Sequence, residues 1–106
     1  MTQDQFNLIV REWEQEKQFC SFAHQICKGD NYNKLKKAGW EIVPFILETL
    51  KTNGWMGLQH LISDITKEDI YVGEVEYGFK KVNVQASAEA WVRWGVERGL
   101  IIMGKL

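Results

Sequence analysis

Cys20, His24 and Cys27 fall within nine residues, in the stretch FCSFAHQIC at positions 19–27. Cysteine thiolates and histidine imidazoles are common zinc ligands, and neighbouring cysteines can also form a disulfide or act as reactive thiols. On a helix, however, the seven residues from Cys20 to Cys27 rise by about 10.5 Å. This rise exceeds the Cα separation of about 7 Å that a disulfide tolerates, and it exceeds the reach of two short side chains to one zinc ion. We therefore predict reduced, metal-free and largely buried cysteines on a packing stripe, with His24 at its edge. Only a kink near Ser21 would allow the disulfide or the shared zinc ion. A reactive thiol and pairwise metal ligation, by Cys20 with His24 or by His24 with Cys27, are the alternatives.

A second pair of chemically useful side chains is His60 and Asp64, which lie four residues apart on the polar side of one helix. With Glu68 and Asp69 just beyond them, they could form an acid–base pair or a weak cation site. Such pairs are far more often ordinary surface residues. The chain contains no G-x-S-x-G, no H-E-x-x-H and no glycine-rich phosphate-binding loop. We therefore predict no catalytic residues, no metal or cofactor, and no enzyme activity.

One cluster of basic residues surrounds Tyr32 in the sequence and consists of Lys28, Lys34, Lys36 and Lys37. Lysines with an aromatic residue among them could hold the phosphates of a nucleic acid. Against this, the cluster has no arginine, and the whole chain carries 13 basic and 14 acidic residues, so no overall field draws it to nucleic acid. A solvated helix face is the simpler interpretation, and nucleic-acid binding through this cluster is the alternative function.

Five tryptophans in 106 residues are more than one small core usually holds. Tryptophan is enriched at the energetic centres of protein interfaces because it offers a large contact area at little cost in side-chain entropy. We therefore expect some aromatic side chains to face a partner, although a core that absorbs all five tryptophans is the alternative. The candidate partner-binding residues are Trp13, Trp40, Trp94, Tyr71, Tyr77 and Phe79.

The elements that would position these residues are mostly helical. Phe6, Trp13, Cys20 and Cys27 recur every seven residues, which predicts one long N-terminal helix or two collinear helices broken near Ser21. The second half of this segment carries three more apolar residues on another side, so we expect it to be the more buried half. Those residues are Phe19, Phe22 and Ile26.

The next helical segments begin and end at residue types that are common at helix ends. Asp30 is a candidate N-cap for a short helix that stops at Gly39. Residues 40–66 then contain two apolar-periodic segments with a short connection, which predicts an antiparallel helical hairpin with Pro44 in its first turn.

The last third of the chain begins with a change of pattern. Within residues 67–82, Val75, Tyr77 and Phe79 alternate with Glu76 and Gly78, so the segment could form a short β-hairpin or an extended loop. Asn83 then caps a final helix that Gly99 stops. Gly95 inside this helix indicates that another backbone approaches closely, because glycine otherwise weakens a helix.

The stretches AGWEIVPFILETL, GWMGLQHLISDIT and AEAWVRWGVERGLI resemble a widespread group of small uncharacterised bacterial proteins. The first two stretches also resemble a HEAT-type helical hairpin, which is a stacking and protein-binding unit. The resemblance implies an all-α fold and a binding role, and it supplies no catalytic residues. The loop after Thr66 departs from the pattern because it lacks prolines. The matching positions are Gly39, Val43, Pro44, Leu47, Trp55, Leu58, Ile65, Thr66, Ala88, Ala90, Trp91, Trp94, Gly95 and Gly99.

Taken together, the patterns predict one all-α domain over residues 1–106, a bundle of about five helices around a HEAT-like hairpin. The N-terminus has no apolar run of signal-peptide length, no stretch approaches the ~20 apolar residues of a membrane span, and two cysteines make no disulfide scaffold. These features predict a cytoplasmic protein that does not interact with membranes. The expected function is non-catalytic binding to another protein or to a second copy of the chain. It would act as a regulator or inhibitor, either antitoxin-like or as a phage or mobile-element inhibitor of a host defence enzyme, such as an anti-CRISPR.

Overall fold

A computed structural model describes residues 1–102, apart from the side chains at positions 75, 76, 79 and 80. Within this part of the chain, five α-helices have eight or more residues, and a short two-stranded sheet accompanies them. The mostly helical bundle predicted from the sequence is thus confirmed. In chain order the elements are α1 (Gln3–Glu16), α2 (Ala23–Ile26), α3 (Asp30–Ala38), a 3-10 turn (Gly39–Ile42), α4 (Val43–Leu50), α5 (Met56–Thr66), β1 (Gly73–Glu76), β2 (Phe79–Val82) and α6 (Val84–Glu97).

Short-range signals set most helix ends. Thr2 and Gln5 form a reciprocal capping box at the start of α1, and the Asn83 side chain accepts a hydrogen bond from the Ala86 backbone N–H at the start of α6. Pro44 occupies the first turn of α4, where the missing N–H costs nothing. The predicted cap at Asp30 is wrong: the N-cap of α3 is Gly29, and Asp30 is the first helical residue.

The core is centred on α4, which packs most extensively against α6 and also contacts α5. Ile46 and Leu47 are fully buried on α4, and Trp91 is 1% exposed on α6. Gly95 allows this packing, because a Cβ atom placed there would lie 2.5 Å from Leu47 Cδ1. The neighbour that approaches Gly95 is therefore a side chain rather than the backbone predicted from the sequence.

The prediction of one long N-terminal helix is wrong, whereas the alternative of two helices is right about a break near Ser21. Helix α1 ends at Glu16, the chain reverses through residues 17–22, and the four-residue helix α2 follows. The reversal is held by Trp13, whose indole N–H donates a 2.9 Å hydrogen bond to the Ile26 carbonyl. No glycine or proline marks the end of α1. The seven-residue recurrence of apolar residues continues beyond this end, and it therefore predicted a helix where the chain folds back.

The predicted burial of this segment is also only partly right. Ile26 is buried, but Phe19 is 91% exposed and Phe22 is 63% exposed. Both phenylalanines belong to the reversal instead of a helix face, so they have no neighbouring helix to cover them.

The segment after α5 forms the short hairpin that the sequence left as one of two options. Strands β1 and β2 pair antiparallel, with Gly73 opposite Val82 and Glu76 opposite Phe79. Tyr77 and Gly78 form the connecting turn with φ values of 51° and 82°, the pattern of a type I′ turn that matches strand twist.

Among residues 1–102, no helix combines the length and apolar character needed to cross a lipid bilayer.

Candidate functional site

The cysteine–histidine stretch is dispersed over a loop and a short helix. Cys20 lies in the reversal, His24 is exposed on α2, and Cys27 follows its last residue. Both cysteines are free thiols, and both are partly buried rather than largely buried as predicted. Across the described residues, no group of three or more His, Cys, Asp or Glu side chains is arranged to hold a metal ion.

Cys27 is the chemically more constrained of the two thiols. The pKa of Cys27 is raised from 9.0 to about 11, mainly by burial and less by the carboxylate of Asp64, with Lys36 partly opposing both effects. A thiol with such a pKa stays protonated at neutral pH and is a poor nucleophile.

His60 and Asp64 do not act as a pair. Asp64 accepts a hydrogen bond from the Tyr32 hydroxyl, which ties α5 to α3. His60 instead lines a small cavity of about 180 Å³ with Ser63, Asp69 and others. Burial lowers the pKa of His60, so the imidazole is neutral near pH 7.

The lysine cluster is exposed, but its aromatic residue is not. Lys28, Lys34, Lys36 and Lys37 all face solvent. Tyr32 is only 3% exposed and points into the contact between α3 and α5. It therefore offers no ring on which a nucleic-acid base could stack.

The candidate tryptophans separate into a core residue and a surface pair. Trp13 is completely buried, and its ring meets Trp55 edge-on with centroids 4.5 Å apart. In this fold it presents no surface to a partner, so the prediction of Trp13 as a contact residue is withdrawn.

Trp40 and Trp94 lie together at the surface, with ring centroids 6.3 Å apart. Trp40 is 51% exposed, whereas Trp94 is partly buried between Trp91 and the guanidinium of Arg98, which lies 4.9 Å from its ring centroid. The Trp94 indole N–H is buried and has no hydrogen-bond partner among the described residues. Arg98 is itself held by Glu68 at 3.3 Å.

The remaining aromatic candidates belong to the hairpin region. Tyr77 is 91% exposed at its tip, and Tyr71 is exposed just before it. The side chain of Phe79 lies outside the described residues, so its predicted role stays a prediction.

A further apolar surface lies between α1 and α3. We call it the α1–α3 groove; it is an open depression of about 520 Å³. Leu8 is 54% exposed beside it, although it is a large apolar residue. The groove is lined by Met1, Gln5, Leu8, Ile9, Lys34 and Lys37.

Local structure explains how this groove forms. The capping box begins α1 at Gln3, which presents Leu8 and Ile9 on its second turn. The Met1 amino group pairs with Glu41, which holds the N-terminus against the 3-10 turn that carries Trp40. On the opposite wall, Lys34 and Lys37 are three residues apart on α3 and so share one face.

The lysines of the groove carry uncompensated charge. Neither Lys34 nor Lys37 makes an ion pair or a side-chain hydrogen bond with the side chains that the structure describes. An apolar surface is thus bordered on one side by two free cations, which suits a ligand with apolar and anionic groups.

The sequence contained a signal for this groove that our sequence analysis missed. At about 100° per residue, Leu8 lies on the opposite side of α1 from the buried residues Phe6, Val10 and Trp13. A large apolar residue opposite the buried stripe indicates a second contact surface.

Comparison of the chain with protein-family models, curated proteins and solved structures gave no match.

Proposed function

We propose that this protein is a non-catalytic module that binds another protein through the α1–α3 groove and acts as a small regulator or inhibitor. The observation that carries the proposal is the groove itself, in which Leu8 and Ile9 face two unpaired lysines. Exposed apolar patches on small proteins commonly mark interaction sites, because leaving them in water costs free energy.

The neighbouring aromatic surface supports the same function. Trp40 follows Lys37 closely in the chain and precedes Glu41, which pairs with Met1 at the end of the groove. A half-exposed tryptophan near an apolar groove is typical of the residues that dominate binding energy at interfaces. Trp40, Trp94, Tyr71 and Tyr77 therefore remain contact candidates.

The test of this function uses one groove variant and one matched control. Leu8→Gln removes the apolar side chain and keeps good helix propensity. Ile102→Gln makes a comparable change at a residue that is 81% exposed outside the groove. Both variants and the wild type would be used for affinity capture in cells that produce the protein, and captured proteins would be purified for direct binding measurements.

We expect one partner to bind the wild type and Ile102→Gln equally and to bind Leu8→Gln roughly tenfold more weakly, since one partly exposed leucine is worth about 1–2 kcal/mol. Equal binding by all three proteins would exclude the groove. Capture of no protein would contradict the function. If the partner is an enzyme, an effect of stoichiometric wild-type protein on its activity would distinguish a regulator or inhibitor from a scaffold. The resemblance to small bacterial proteins stays a prediction.

Nucleic-acid binding is the second candidate, because all four lysines of the cluster are exposed. It predicts binding to duplex or single-stranded nucleic acid that weakens steeply with salt. Simultaneous replacement of Lys34, Lys36 and Lys37 by Glu should abolish that binding. If the wild type binds no nucleic acid at low salt, this function is excluded.

A further inference from the structure

The shape of the α1–α3 groove limits the kind of segment that could occupy it. The groove extends from Met1 to Leu8 and Ile9, about two helical turns or roughly 10 Å along α1. This length corresponds to the separation of residues i and i+7 on a partner helix, which is the usual spacing of anchors in a helix-in-groove complex.

Other modes of peptide recognition fit less well. Addition of a β-strand needs unpaired backbone N–H and C=O groups, but both walls of the groove are helices whose backbone groups are already bonded. Recognition of a polyproline helix uses aromatic side chains, and no aromatic residue lines the groove. A helical segment is therefore the best match.

The charges on the groove select the chemistry of that helix. Lys34 and Lys37 line the α3 wall without partners among the described residues. Glu12 is exposed one turn beyond Leu8 on α1, so a bound carboxylate is favoured on the α3 side and disfavoured at that end of α1. The groove lining offers no aromatic side chain on which a base could stack, and Tyr32 is buried, which argues against nucleic acid as the occupant.

We infer that the α1–α3 groove binds an acidic amphipathic helix of a partner protein. Its apolar side chains would lie at i, i+3 or i+4 and i+7 against Leu8 and Ile9. Its carboxylates would lie along the flank that faces Lys34 and Lys37. This inference rests on the proposed function and names the partner's binding segment.

Designed peptides test the inference directly with the full-length protein. Three fluorescent peptides of about 18 residues, long enough to form a helix, would share one apolar stripe and differ in the flanking residues: Glu, Gln or Lys. Binding would be measured by fluorescence anisotropy at low and high salt, with the wild type, Lys34→Glu/Lys37→Glu and Leu8→Gln. The matched control is Lys28→Glu/Lys36→Glu, which reverses two exposed charges that do not line the groove.

We expect the acidic peptide to bind the wild type roughly tenfold more tightly than the neutral one at low salt, from two exposed ion pairs. The preference should shrink at high salt. Lys34→Glu/Lys37→Glu should reverse it in favour of the basic peptide, Lys28→Glu/Lys36→Glu should retain it, and Leu8→Gln should weaken all three complexes.

Several results would overturn the inference. Binding without preference for the acidic peptide, or equal loss of preference in both double variants, would mean that the groove lysines do not select the ligand. Displacement of the acidic peptide by nucleic acid, or self-association that Leu8→Gln abolishes, would assign the groove to a different occupant.

Failure of this inference can be separated from failure of the proposed function. If no peptide binds but the captured partner still depends on Leu8, only the helical acidic ligand is excluded. If no peptide binds and partner capture is insensitive to Leu8, both are excluded.

Discussion

The substitution Trp13→Phe tests whether Trp13 is a structural residue or a contact residue. It removes the indole N–H that donates a 2.9 Å hydrogen bond to the Ile26 carbonyl in the buried interior. A buried acceptor left without its donor costs about 1–3 kcal/mol. The smaller ring also loses part of the edge contact with Trp55, and such aromatic pairs are worth about 0.5–1.5 kcal/mol. Together these losses predict a decrease of about 2–4 kcal/mol in the free energy of unfolding.

The assay is denaturant and thermal unfolding followed by far-ultraviolet circular dichroism, which does not depend on the tryptophan signal. For a chain of this size the predicted loss corresponds to a decrease of roughly 10–20 °C in Tm. Trp40→Phe is the matched control, since Trp40 is 51% exposed and an exposed change of this kind usually costs about 0.5 kcal/mol or less. The reasoning would be refuted if the two variants lost equal stability, or if Trp13→Phe unfolded like the wild type.

Three further predictions follow from single sites. Gly95→Ala should lower the free energy of unfolding by about 1–2 kcal/mol despite the better helix propensity of alanine, because its Cβ would meet Leu47; the added variant Leu47→Val should reduce this penalty in a double-mutant cycle. In a Cys20→Ser background, alkylation of Cys27 near pH 8 should be roughly 100-fold slower than that of an unperturbed thiol, since its pKa is raised to about 11, and ordinary reactivity would contradict this. Burial lowers the pKa of His60 below its usual 6.5. Below pH 6.5 the unfolded chain therefore binds more protons than the folded chain, and the free energy of unfolding should fall as the pH decreases. His60→Gln should lose this part of the pH dependence, and an unchanged pH profile in the variant would contradict the prediction.

Helix α6 illustrates what local sequence can predict. Its start follows from the Asn83 side chain, which bonds a backbone N–H three residues later, and its end follows from Gly99 at φ 73°. Within this helix, Trp91 is buried and Trp94 is partly buried. Caps, breakers and periodicity involve residues within one or two turns of each other, so they can be recognised without the tertiary structure.

The N-terminal segment illustrates where the same reasoning fails. The seven-residue recurrence was correct for Phe6 and Trp13, which are buried on α1. It was misleading for Cys20 and Cys27, which lie in the reversal and after α2. The Trp13 indole N–H bonds the Ile26 carbonyl across this segment, and a contact between residues 13 positions apart leaves no local pattern.

The candidate site shows the same division between local and long-range causes. The sequence identified Lys34 and Lys37 as part of a basic cluster, but it could not show that α1 lies beside them and supplies Leu8. Likewise, the sequence linked His60 to Asp64. In the structure, the packing of α3 on α5 brings Asp64 to the Tyr32 hydroxyl, from which it accepts a hydrogen bond.

The amino-acid sequence by itself thus determined the helical class, both ends of α6, the short hairpin as an option and the residues available for chemistry, because these depend on local propensity and hydrogen bonding. The tertiary structure decided which apolar residues became core and which stayed exposed. It placed Trp13 in the core and brought α3 beside Leu8, since burial and contact depend on which elements pack together.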